Sequence, residues 1–188
     1  RRLATMLRAT LTKDGRAGRA LLAWAEEHRA DFWPAPRRKK EADPAERKLS
    51  WARLGALVEA MAEDPLPDQL ALAADNVATV LGFDTQQRAV LEAGLALAFH
   101  PRIAKLRWAL EMAHEDVARI AGMLAGADPL MAGNMVRNSL AVELGLLDIE
   151  MTHGGGVSLY VSWWFEDVLA RGGHDPERLI EALAGKRQ

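Results

Sequence analysis

Asn134, Arg137, Asn138 and Ser139 fall within a stretch that reads as the second helix of a helix-turn-helix, and they are the side chains best suited to reading nucleic acid. Asparagine can pair with an adenine edge and arginine with a guanine edge, so this helix could present hydrogen-bonding groups to a major groove. Only one of the four is cationic, however, and Asp148 and Glu150 on the adjoining wing would lie near phosphates. Phosphate binding depends on lysines and arginines displacing counterions, and carboxylates oppose it. A second set with binding capacity is Trp163, Trp164 and Phe165. Three consecutive aromatics cannot all be buried on one helical stripe, so one is expected to meet another domain or subunit. The third is the run Arg37, Arg38, Lys39 and Lys40, which could grip nucleic acid as a tail. With Glu41, Asp43 and Glu46 beside it, the run has the charge pattern of a solvated linker.

Reactive chemistry is harder to find. A phosphate-binding loop of the form GxxxxGK(S/T) is missing, and Gly185-Lys186 lacks both the upstream glycine and the hydroxyl residue. No serine stands in a GxSxG elbow, and the absence of cysteine removes thiolate nucleophiles, thiolate metal sites and disulfides. Glu111 and His114 have a spacing used in carboxylate di-iron bundles, but those sites need a second such pair, so both are expected on a solvated surface. No catalytic residue, cofactor or metal is expected in this chain.

With 49% hydrophobic and 27% charged residues among 188, the composition is that of a folded globular protein of one or two domains. The net charge of −2 conceals an asymmetry: residues 1–48 hold 13 Lys+Arg against 7 Asp+Glu, whereas residues 49–188 hold 11 against 19. The larger part should repel nucleic acid overall. Lack of cysteine and of any apolar run near membrane-spanning length suggests the cytoplasm and no membrane partner. Because Arg1 opens the chain without methionine, a trimmed fragment is expected.

The elements that would position these side chains follow from periodicity. Residues 1–12 and 16–29 read as helices, and Trp33-Pro34-Ala35-Pro36 then interrupts helix as a linker. Further helices are marked by Leu54, Leu57, Val58 and Met61, by Leu70 to Leu81, by Leu91, Leu95 and Phe99, and by Ile103, Leu106 and Leu110. Val117 to Leu124 forms the next. Only Gly126-Ala127-Asp128 separates it from a helix over 129–144, which is the helix-turn-helix layout. The period then changes to two: Leu147, Ile149 and Met151 alternate with polar residues, as do Val157, Leu159 and Val161. His153-Gly154-Gly155-Gly156 provides the turn of a hairpin wing. Two short helices, from Trp163 and from Asp175-Pro176, close the chain.

Residues 70–185 resemble the helical and winged-helix region that precedes the motor in a group of bacterial AAA-type ATPases. The resemblance is carried by Asn76-Val77-Ala78, Leu81-Gly82-Phe83, Arg88, Leu91, Asp128-Pro129-Leu130 and Gly145-Leu146-Leu147. These are mostly hydrophobic and capping positions, and they cover about three-fifths of the chain. The resemblance implies a region that recruits a partner or substrate for an ATPase located further on, and oligomerisation through the full-length protein. Walker motifs are not among these 188 residues, so no catalytic residue is carried over.

The expected fold is therefore mainly α with one small β-hairpin: a basic helical segment and linker over 1–48, a helical bundle over 49–113, and a winged helix-turn-helix with C-terminal helices over 114–188. The expected function is non-catalytic capture of a protein partner or of an adjoining domain of the same polypeptide. Asn134, Arg137, Asn138, Trp163, Trp164 and the run from Arg37 to Lys40 are the candidate contacts. The alternative is a transcription regulator that reads DNA with residues 129–144.

Overall fold

The chain breaks where its capping residues stand. Gly82 adopts φ 67° after the helix that ends at Leu81, and the Phe83 amide turns back to the Ala78 carbonyl at 2.8 Å, closing that helix in the left-handed conformation glycine tolerates. Asp84 accepts the Gln87 amide at 2.7 Å and Asp116 accepts the Arg119 amide at 2.8 Å, each satisfying a donor that a helix start leaves free. Pro101 opens a helix at the position where its missing donor costs nothing.

A computed structural model describes residues 2–28, 49–60, 66–152, 154–171 and 175–185. It is mainly helical with one antiparallel hairpin: α1 (Arg2–Thr10), α2 (Arg16–Glu27), α3 (Trp51–Ala60), α4 (Asp68–Leu81), α5 (Thr85–Phe99), α6 (Pro101–Met112), α7 (Val117–Leu124), α8 (Ala132–Arg137), α9 (Leu140–Glu143), β1 (Leu147–Met151), β2 (Val157–Val161), α10 (Trp163–Ala170) and α11 (Pro176–Gly185). The expected linker from Trp33 to Lys40, together with Met61 and His153, lies outside the described residues.

Two apolar clusters hold these elements. The larger gathers Val77, Leu91, Leu95, Val136, Leu147 and Phe165 with both strands and Leu179 of α11. The second joins Leu3, Leu7, Leu21, Trp24 and Leu54 of α1, α2 and α3 to Leu106 and Leu110 of α6. Helix α7 divides between them, with Val117, Ala118 and Ala121 in the first and Ile120 and Met123 in the second. Each large aliphatic side chain so buried contributes about 1.5–3 kcal/mol relative to exposure, so α7 is held from both sides.

The strand register pairs Leu147 with Val161, Ile149 with Leu159 and Met151 with Val157, as the alternation requires for a shared apolar face. Met151 departs from that reading, since it is 78% exposed at the strand end. Ser158 departs in the opposite direction, being fully buried although it points to the polar face. Asp116 makes an isolated parallel bridge to Val157, so β2 lies between Asp116 and β1.

The expected helix over 129–144 is not continuous. The Asp128 side chain accepts the Leu130 amide at 2.9 Å and its carbonyl accepts from Met131 and Ala132, making a turn of 129–131. The connection from α7 to α8 is thus 125–131, longer than the expected three residues. Asn138 then leaves helical geometry, and the Ser139 hydroxyl donates to the Val136 carbonyl at 2.7 Å while accepting the Val142 amide. A short hydroxyl side chain offers the backbone an alternative partner, and here that competition divides the helix into α8 and α9.

Candidate docking surface

Asn134, Arg137 and Asn138 all lie exposed on or just after α8, as a reading helix would require. Arg137 is nevertheless occupied. Its Nη2 stands 2.7 Å from Asp116 Oδ2, and the other oxygen of that carboxylate caps α7 through the Arg119 amide. Arg119 in turn donates through Nε to the Pro129 carbonyl at 2.9 Å. Both guanidinium groups thus brace the connection between α7 and α8. The neighbouring exposed side chains are Leu130, at 87%, and Met131. This end of the module is more apolar and less cationic than phosphate binding favours. Arg37, Arg38, Lys39 and Lys40 lie outside the described residues.

The aromatic run separates as helical geometry demands. Phe165 is fully buried in the larger cluster, and Trp164 is half-buried with its indole Nε1 donating to the Gly145 carbonyl at 2.7 Å. Trp163 is 81% exposed. The Phe165 and Glu166 amides both donate to the Ser162 carbonyl at 2.9 Å, and the Ser162 amide donates to the Leu146 carbonyl at 3.0 Å. These bonds fasten the first turn of α10 to the 144–146 turn that follows α9. Trp163 is therefore an aromatic side chain on a fixed backbone, and Leu144 in the turn to which that backbone is tied is itself 39% exposed. Leu140 is partly open one helical turn earlier, and Glu143 on α9, Asp148 on β1 and Glu166 on α10 are exposed.

One polar cluster was not legible in the sequence as such. Arg107 and Glu111, one turn apart on α6, face the outer side of β2, where the Arg107 guanidinium carbon lies 5.2 Å from the Tyr160 ring centre. Arg107 Nε is 3.6 Å from Glu111 Oε1, and the two side chains are only 19% and 10% exposed. Glu111 is thus a covered residue and not the solvated one its spacing from His114 suggested; His114 itself is exposed, with φ 63°. Burial raises the Glu111 carboxyl above its ordinary value, against the opposing pull of Arg107 and of the Ser158 hydroxyl. This packing explains the burial of Ser158: α6 covers the polar face of β2 with an ion pair, so a small hydroxyl residue fits there. The signal available in the sequence was the i, i+4 Arg–Glu pair, which ordinarily marks an exposed helix face.

Among the described residues no three His, Asp or Glu side chains converge as a metal site would need, and no helix is long and apolar enough to cross a membrane. In comparison with known proteins the chain matches no family model, no curated protein and no solved structure.

Proposed function

We propose that this chain is a non-catalytic recruiting region built on a winged helix-turn-helix, serving as the N-terminal part of a larger bacterial AAA-type ATPase. It captures a protein partner, or an adjoining domain of its own polypeptide, in the cytoplasm and uses no cofactor of its own. The element order supports the winged-helix reading: α6, a single bridge at Asp116, the α7 to α9 turn, then a hairpin whose inner face packs on α5. The observation that carries the docking role is Trp163. A large aromatic that is 81% exposed, while its two neighbours are anchored, presents apolar area at little further entropic cost on binding.

The DNA-reading alternative draws support from exposed Asn134 and Asn138, but the one cation of that helix is already paired with Asp116. A photo-crosslinking amino acid placed at Trp163 of the protein in its own cell, with the same replacement at exposed Glu177 on α11 as control, distinguishes the two. Protein adducts specific to position 163 are expected. Adducts to DNA, or the same adducts from both positions, would refute the docking role.

A further inference from the structure

The corner around Trp163 has a chemical bias that narrows the kind of partner. Its apolar members are the exposed Leu140, Leu144 and Trp163, carried by segments that the Trp164 indole and the Ser162 amide tie together at Gly145 and Leu146. Glu143 stands on α9 between the two leucines in sequence, Asp148 is exposed on β1 across from Tyr160, and Glu166 is one helical turn past Trp163. None of these three carboxylates makes an ion pair with a described residue. Among the described residues Arg137 is engaged with Asp116, Arg171 with Asp167, Arg178 with Asp175, Arg119 with the Pro129 carbonyl, and Arg107 with Glu111 and the Tyr160 ring. Exposed apolar side chains on segments that also carry carboxylates unpaired among the described residues complement a segment that is apolar and basic.

We propose that this corner receives a basic amphipathic helix of a partner protein, whose apolar stripe covers Leu140, Leu144 and Trp163 while its lysines or arginines meet Glu143, Asp148 and Glu166. The inference rests on the docking role proposed above and adds the charge of the occupant. Helix-in-groove recognition places apolar anchors at helical spacing, and flanking charge governs encounter and partner choice. Duplex DNA is disfavoured by the same carboxylates.

The test uses three labelled peptides of about four helical turns sharing one leucine stripe, with lysine, glutamine or glutamate on the other face. Fluorescence anisotropy is measured on the full 188-residue chain. The lysine peptide is expected to bind, with affinity falling as salt screens the exposed carboxylates. The combined Glu143→Gln, Asp148→Asn and Glu166→Gln variant should bind it about tenfold more weakly, a loss in keeping with three exposed charge pairs. Trp163→Ser should weaken it as well, and because all four side chains are exposed, unchanged thermal melting verifies that each variant is folded. Equal binding of the glutamine and lysine peptides would overturn the basic-partner inference while leaving a docking surface in place. Failure of all three peptides to bind, or an unaffected Trp163→Ser variant, would overturn both readings. Displacement of the lysine peptide by duplex DNA would also overturn the proposal.

Discussion

Gly122 is the point at which the α7–α8 pair is most sensitive to a single atom. A Cβ built on this residue would lie 2.7 Å from the Ala132 carbonyl carbon and 2.9 Å from its Cα, with the carbonyl oxygen nearer still. Carbon atoms pack favourably at about 3.5–4.0 Å, so Gly122→Ala requires the first turn of α8 to retreat by roughly 1 Å. That retreat is resisted because Ala132 and Val136 are fully buried and Arg137 is tied to Asp116. Overpacking against backbone costs about 1–3 kcal/mol, whereas alanine returns about 1 kcal/mol of helix propensity. With backbone as the obstacle the upper part of that range applies, giving a net loss of about 1–2 kcal/mol. For a chain of this size that lowers the melting temperature by roughly 2–8 °C. Far-UV circular dichroism during urea or thermal unfolding measures it. Gly185→Ala on α11 is the control, because no heavy atom stands within 4 Å of its Cβ position, and it should be neutral or slightly stabilising. A Gly122→Ala protein as stable as the parent would refute the close-approach argument.

Trp164→Phe removes the indole bond to the Gly145 carbonyl and should cost about 1 kcal/mol in denaturant unfolding, while a cost near zero would deny that bond its anchoring role. Asp116→Ala loses the α7 cap and a half-exposed ion pair, for an expected total of about 1–2 kcal/mol. The same variant releases Arg137, and a mobility shift should show no gain in duplex binding; a gain would favour the DNA-reading alternative. Glu111 has a native pKa above its ordinary 4.5, so its contribution to stability is fully present below 4.5 and is lost as pH rises through the native value. Relative to the parent, Glu111→Gln should therefore gain stability between acid and neutral pH in unfolding titrations. A difference that is flat with pH, or that grows toward acid, would contradict the burial of that carboxyl.

Local signals along the chain settled most of the elements. Glycine at 82 and aspartates at 84 and 116 act on amides within a few residues of themselves, and the change from helical to alternating period after Gly145 depends only on neighbouring side chains. For the same reason three adjacent aromatics had to separate, because 100° per residue cannot bring them to one face. Tertiary packing decided which of them stayed outside: Phe165 entered the larger cluster, Trp164 found the Gly145 carbonyl, and Trp163 remained in solvent. The division of 129–144 was a local effect that apolar periodicity conceals, because the Ser139 hydroxyl redirects backbone groups only three residues away. The covering of Ser158 and Glu111 and the pairing of Arg137 with Asp116 were likewise invisible along the chain. Arg137 and Asp116 are 21 residues apart, and only the packing of α8 on α7 brings opposite charges of such separation to 2.7 Å. Periodicity reports which face of an element is apolar; what covers its polar face depends on how distant elements meet.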